Sequence, residues 1–403
     1  MVPSVMRLSR RLDPIKPSAT LALNAKAKAL VQQGVDVVGF AAGEPDFDTP
    51  AFIGEAGIEA IRSGFTRYTA TAGIPELRKA ICEKLARDNQ LTYAPEQILV
   101  SSGAKHSLYN IFQALLNEGD EVVIFAPYWV SYPEMVQLAG GKPVIVETRE
   151  EDGFAPDPEA FRRALGPKTR AVIINSPSNP TGAVISREAL AALGRVLEDF
   201  PEVLVVSDDI YEKLRYVDGP FVNIANAAPA LAERTVVVNG MSKAFAMTGW
   251  RLGYAAGPKA LIAGMQTIQD QSTSNASSVT QKAGLAALLG PSDEIDRMVT
   301  EYRARRDLVV DRLNAIPGIS CRLPEGAFYV FPNVSGLYGR RSGEKRIEDS
   351  LTLSQVLLED FRVAAVPGAP FGAPAHLRLS FVTSRETLEK GLSRIEDLVR
   401  SLS

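Results

Sequence analysis

Seven short apolar runs, most of them rich in β-branched residues, recur between segments of helix length: Ile98–Ser101, Glu121–Phe125, Pro143–Val146, Ala171–Ile174, Val203–Ser207, Thr235–Val238 and Gly253–Ala256. Apolar runs this short, mostly bounded by Gly, Pro or Ser, suit strands covered on both faces. Strands that alternate with helices predict an α/β layer structure around a mostly parallel seven-stranded sheet. In such sheets ligands collect beyond the carboxyl ends of the strands. Here those ends carry Ser102-Gly103-Ala104-Lys105, then Tyr128 and Trp129, then Asn175 and Asn179, then Asp208 and Tyr211, and finally Ser242 and Lys243. One pocket has access to all of them.

The stretch TVVVNGMSKAFAMTGWRLGYAAG, Thr235 to Gly257, is the most specific of these. Its apolar run Val236–Val238 gives way to Asn239, Gly240 and Ser242, so a buried strand ends in a tight polar turn that presents Lys243. Arg251 follows eight positions later. A hydroxyl, an ammonium and a guanidinium among glycines suit a phosphorylated cofactor with an aldehyde that the lysine captures, and pyridoxal phosphate has both features. Taken alone, a lysine at a strand end is an ordinary solvated charge.

That cofactor acts as an electron sink only while its ring nitrogen is protonated, which calls for a carboxylate beside it. Asp208 is the candidate. Asp209 competes, and period-two alternation sends the two to opposite faces, so one alone enters the pocket. Tyr211 and Asn179 can donate to the ring's phenolic oxygen, although a core aromatic and a turn residue before Pro180 are equal readings. Trp129 offers a flat face for stacking, where a core tryptophan is the plainer reading. The helix pattern AKHSLYNIFQALL begins with free amides at Ala104 and Lys105, an anion site. The loop around Gly43 in AAGEPDFDTP either approaches a ligand or simply turns.

Composition narrows the remaining choices. The 403 residues include 44 basic and 47 acidic side chains, a formal charge of −3 with no like-charge block, so nucleic acid is not an expected partner. The two cysteines, Cys82 and Cys321, lie in no CxxC, and with two histidines, His106 and His376, they predict neither a disulfide framework nor a metal site. No apolar h-region accompanies Arg7, Arg10 and Arg11, and no run of about 18 apolar residues occurs, so we expect a cytoplasmic protein without a membrane span. No GxGxxG follows any strand, which removes the usual dinucleotide turn. After about residue 290 the pattern shifts to a long charged helix, EIDRMVTEYRARRDLVVDRLNAI, then shorter α and β pieces with RRSGEKR as a polar loop and LTLSQVLLED as a helix. We therefore expect a large domain over 49–290, and a smaller α/β domain over 291–403 joined by the arm 1–48. In that arm Pro14 and Pro17 predict an extended start, with Ser18 or Thr20 capping a helix that ends at Gly34.

Gly240, Ser242, Lys243, Gly249, Arg251 and Gly253 match the pyridoxal-phosphate attachment motif of class I aminotransferases. KPSAT, AAGEPDFDTP, YWVSYPEM, NSPSNPTGAV, SDDIYE and SKAFAMTGWRLGY extend the match, and from about Leu8 to its C-terminus the chain resembles these fold type I enzymes. It is most similar to the branch that holds bacterial aspartate and bifunctional aspartate/prephenate aminotransferases. The resemblance implies that Lys243 carries the cofactor covalently and moves the proton, Asp208 pairs with the ring nitrogen, and Tyr211 and Asn179 bond the ring oxygen. It further implies that Trp129 stacks on the ring, while Ser242, Arg251, Ala104 and Lys105 hold the phosphate. Tyr68, in RYTATAGIPELR, resembles the tyrosine that reaches a neighbouring subunit's phosphate, which implies a homodimer with shared sites. Arg378, in HLRLSF, matches the clamp on a substrate α-carboxylate, with Gly43, Asn179 and Trp129 beside it. The arginine that animal-type aspartate enzymes borrow from the neighbouring subunit has no clear counterpart. Lys105, with Lys16, Ser18 and Thr20 of the KPSAT segment, stands in for it, and Lys16 accompanies prephenate use. Closure of the arm over bound substrate is a further expectation. An aminotransferase for alanine or aromatic donors, a lyase using the same cofactor and a non-catalytic sensor are the alternatives, and the intact Lys243 counts against the last.

Overall fold

β-Branched runs without polar alternation need cover on both faces, and in the computed structural model they receive it. The structure describes the chain apart from residues 1–5, 7, 16 and 18 and the side chains of 19–21 and 24. The seven expected strands are β1 (Ile98–Ser101), β2 (Glu121–Ala126), β3 (Lys142–Glu147), β4 (Thr169–Asn175), β5 (Leu204–Asp208), β6 (Thr235–Gly240) and β7 (Gly253–Ala256). They form one sheet in the order β1-β7-β6-β5-β4-β2-β3. β7 runs antiparallel to β1 and β6, and every other pair is parallel. Every residue of β1, β5, β6 and β7 is buried. At the edge, β3 exposes Lys142 and Glu147 and carries Pro143, which discourages pairing with another chain.

The register gathers polar strand ends on one side. Asn175 lies opposite Asp208 across β4 and β5, and Asp208 lies opposite Val238 of β6. Because β7 is antiparallel, its first residue, Gly253, pairs with both Ser101 and Gly240. A Cβ on Gly253 would sit 2.3 Å from the Ala104 nitrogen, so glycine there lets the helix Ala104–Leu115 start directly against the sheet.

A second core forms from the last part of the chain with help from its beginning. Val38–Gly39 pairs in parallel with Val363–Ala364. The helices Asp293–Asn314 and Arg385–Ser401 pack with Phe40, Tyr302, Phe328 and Phe381, all fully buried. A three-stranded antiparallel sheet places Leu377–Ser380 between Val366–Pro367 and Tyr329–Val330. Tyr329 pairs with Ser380, two residues from Arg378, so the three side chains share one face.

Three local expectations change. The first long helix begins at Ala19, so Thr20 falls in its first turn rather than at its cap, and Ser18 lies outside the described residues. The arm is not simply extended, because Arg10–Leu12 form a short 3₁₀ turn capped by Ser9. RRSGEKR holds a small hairpin, Arg341–Ser342 against Lys345–Arg346, turning at Gly343 with φ +59°. Gly34 ends the first helix region with φ +81°, as a left-handed stop requires. Among the described residues no helix is long and apolar enough to cross a membrane, and no cluster of His, Cys, Asp and Glu could hold a metal.

Candidate active site

The gathered strand ends open onto a cavity of about 400 Å³, within the size range of small-molecule sites. Lys243, Ser242, Arg251, Asp208, Tyr211 and Asn179 line it from the sheet side. Ala104, Lys105, Trp129, Gly43 and Arg378 complete the wall. Lys16 and Ser18 lie outside the described residues, as does the side chain of Thr20. Tyr68 is 93% exposed on this single chain, away from the cavity wall.

Lys243 projects from the turn that follows β6, and its ammonium donates to the Gly43 carbonyl. Burial pushes its pKa down to about 8, against the opposing pull of Glu44. Asp208 ends β5 and is buried, with Oδ2 accepting from the Tyr132 hydroxyl at 2.5 Å. Burial raises its pKa to about 6, while the Tyr132 hydrogen bond and the nearby Lys243 pull the other way. Asp209 turns to the other face, where Ser207 donates at 2.6 Å and Asn223 at 3.0 Å. Alternation along the strand thus decides between the two acids, as the sequence pattern required.

Asn175 ties the neighbouring ends together. Its amide donates to the Asp208 carbonyl at 2.9 Å, and its side-chain oxygen accepts from the Asn179 backbone at 2.9 Å. At the opposite wall the Arg378 guanidinium is 2% exposed, donating to Asn179 Oδ1 at 3.1 Å and to the Ala41 carbonyl at 3.0 Å. It packs over the rings of Tyr329 at 4.5 Å and Phe371 at 5.2 Å. Its Nε has no partner, and among the described residues it forms no ion pair. A buried cation held only by neutral groups is costly unless an anion joins it.

The far end of the cavity is built for an anion. Arg251 sits at φ +55° and donates to the Thr248 carbonyl at 2.9 Å. A Cβ on Gly103 would meet its guanidinium at 2.4 Å, so glycine at φ +92° brings the cation against the start of the helix Ala104–Leu115. Helix-start amides, the Ser242 hydroxyl and Arg251 meet here, a donor set suited to an anion. Lys105 is exposed, with its ammonium 4.7 Å from the centroid of the Trp129 ring. An anion cradle, a buried carboxylate and an amine of lowered pKa between them fit a phosphorylated aldehyde with a basic ring nitrogen.

Tyr132 and Tyr329 also line the cavity and were not singled out from the sequence. Tyr132 holds Asp208, and its position in YWVSYPEM, three residues beyond Trp129, is the signal that could have found it. Tyr329 lines the cavity with its hydroxyl 2.9 Å from that of Tyr211. In GAFYVF it reads as one more core aromatic, and only the fold shows otherwise.

Residues 35–395 match the family model described as aminotransferase class I and II. An aspartate/prephenate aminotransferase of Nitrosomonas europaea is 48% identical over 98% of this chain and 100% of its own length. An aspartate aminotransferase from Rhizobium meliloti superposes with a TM-score of 0.96 at 44% identity, over 99% of this chain and 100% of that one. An aspartate aminotransferase from Thermus thermophilus with maleate gives 0.92 at 47% identity, over 98% and 100%. The seven-stranded sheet, the lysine turn beyond β6 and these matches agree, and the chain belongs to the class I and II aminotransferases, with their α/β fold of type I.

Proposed function

We propose that this chain is a pyridoxal-phosphate-dependent aminotransferase that moves an amino group between aspartate or glutamate and the keto acids 2-oxoglutarate and oxaloacetate, with prephenate as a further acceptor. The observation that carries the reading is the buried Arg378 guanidinium, which faces the Lys243 cavity without a carboxylate of its own. When bound, pyridoxal phosphate supplies an electron sink for the substrate's Cα. Arg251, Ser242 and the amides of Ala104 and Lys105 would hold its phosphate, and Asp208 its ring nitrogen. Tyr211 and Asn179 would hold its ring oxygen, and Trp129 its face. Lys243 is the site of attachment and the proton carrier. A pKa of about 8 leaves its amine partly neutral near neutral pH, so it can take a proton from a substrate carbon and return it.

Arg378 takes the substrate's α-carboxylate, with Asn179, Gly43 and Trp129 beside it. Lys105 receives the second carboxylate, together with Lys16, Ser18 and Thr20 of the arm, and Lys16 favours prephenate. The exposed Tyr68 completes a neighbouring subunit's phosphate site, so the working protein is a homodimer. We also infer a cytoplasmic location and a division into a large domain, 49–290, and a small domain of 1–48 with 291–403. The arm closes on bound dicarboxylate.

The test is the absorbance of the cofactor-loaded protein. Aspartate should bleach the visible band and 2-oxoglutarate should restore it. A band that ignores both acids contradicts the proposal. A band bleached by aspartate with release of ammonia and no need for a keto acid assigns a lyase instead.

A further inference from the structure

Tyr329 touches three working parts of the cavity at once. Its hydroxyl lies 2.9 Å from Tyr211 Oη, and its ring carries the Arg378 guanidinium at 4.5 Å from the centroid. A Cβ on Gly43, whose carbonyl accepts from Lys243, would come within 3.2 Å of that same hydroxyl. The ring is 1% exposed. Burial raises both tyrosine pKa values above the ordinary, so both hydroxyls keep their protons.

Two protonated phenols in contact share one hydrogen bond and leave one proton to point elsewhere. Tyr211 lines the cavity where a ligand oxygen can accept that proton. Tyr329 has the Arg378 cation on its face, which withdraws electron density and strengthens its O–H as a donor. The arrangement that uses both protons has Tyr329 donating to Tyr211 and Tyr211 donating into the cavity, each bond polarising the next. A carboxylate on Arg378 cancels the cation's pull and weakens the chain.

We propose that Tyr329 is a positioning residue that couples occupancy of Arg378 by a carboxylate to the donor strength of the Tyr211 hydroxyl. The inference rests on the reading of this cavity as a pyridoxal-phosphate site. Arg378 also donates to Asn179 Oδ1, so a second and independent route survives when the Tyr329 hydroxyl is removed.

The experiment compares wild type with Tyr329→Phe as full-length, cofactor-loaded proteins. The reading is the pH midpoint of the cofactor's visible absorbance, with and without succinate, a dicarboxylate that has no amine to transfer. A weaker Tyr211 donor leaves the ring oxygen's charge less stabilised after proton loss, so the midpoint should rise by about 0.5–1 pH unit, a three- to tenfold change in proton affinity. The succinate-induced shift should shrink by at least half. If the cofactor is taken up and both quantities equal those of wild type, the coupling is wrong and the reading of the cavity stands. A wild-type chain that takes up no pyridoxal phosphate overturns that reading, and this inference with it. A second measurement covers poor folding of the variant: in cofactor-free wild type labelled with 13Cζ-tyrosine, the Tyr211 resonance should move when succinate is added. A resonance that stays fixed while succinate binds contradicts the coupling.

Discussion

Two buried charge clusters flank the end of β5, and they are built on opposite plans. On one side Lys84 is buried with Glu212 as its ion-pair partner. Asn89 closes that cluster, accepting from Lys84 at 2.6 Å and donating to Glu212 at 2.7 Å. Asp209 faces this side, and Ser207 and Asn223 occupy both its oxygens. On the other side Lys243 has a backbone carbonyl as its hydrogen-bond acceptor, Arg378 has neutral partners, and Asp208 retains one oxygen with only a 3.4 Å contact to the Ile210 amide. Both clusters are largely buried, Lys243 less completely than Lys84, and what separates them is satisfaction. Charges matched by their neighbours hold a fold together, whereas charges left unmatched await a ligand.

Exchanging one lysine from each cluster should break the comparison most sharply. Lys243→Ala should lower turnover by at least about 10³-fold, since it removes the attachment point and the proton carrier together. Its melting temperature should hold or rise, because an unpaired buried amine is gone. Lys84→Met should do the reverse, costing about 3–5 kcal/mol by leaving Glu212 buried and unpaired. Turnover per folded molecule should then stay within a few-fold. Adding Glu212→Leu to Lys84→Met should recover most of the lost stability. Denaturant titrations beside initial rates read both arms, and a Lys84→Met protein of full stability would remove the distinction.

Arg378→Ala comes next in size. Its loss should reduce kcat/KM for aspartate by about 10²–10³-fold, with stability unchanged or increased. A large destabilisation would mean that the guanidinium is matched in the free protein after all.

A smaller effect sharpens the contrast between the two neighbouring aspartates. Asp208, with its pKa raised to about 6, is ionised above that pH and neutral below it. Cofactor uptake should therefore fall as pH drops through about 6. Tyr132→Phe removes a hydrogen bond that favours the carboxylate, so this acid limb should move to higher pH. Asp209→Asn should leave the limb where it is. Equilibrium dialysis of pyridoxal phosphate against the cofactor-free proteins measures all three, and a limb that follows Asp209 would reverse the assignment of the two acids.

What could be read from the sequence follows the same division. Buried central strands announce themselves as unbroken apolar runs, most of them β-branched, so all seven were legible, with ends shifted by up to two residues. The placement of Lys243 and Asp208 at the cavity was legible because each stands where an apolar run gives way to polar turn residues, and that of Arg251 from its spacing eight positions beyond Lys243. Tyr329 was not, since its strand is only two residues long and its role depends on a cross-strand contact with Arg378. Ser18 and Thr20 were both offered as the cap because Ser and Thr near a helix start are equivalent by composition, and the backbone sets Thr20 inside the first turn. The matched cluster around Lys84 was silent for a related reason. Lys84, Glu212 and Asn223 are far apart in the chain, and a lysine in a helix looks solvated until the fold buries it.

The unmatched charges around Lys243 serve to move an amino group from one acid to another. The most direct test supplies 15N-aspartate and unlabelled 2-oxoglutarate to the cofactor-loaded protein and follows the label by mass spectrometry. The account predicts 15N-glutamate with oxaloacetate in equal amounts, and none from Lys243→Ala. Label that appears as free ammonia, or stays in aspartate while the cofactor is bound, would contradict it.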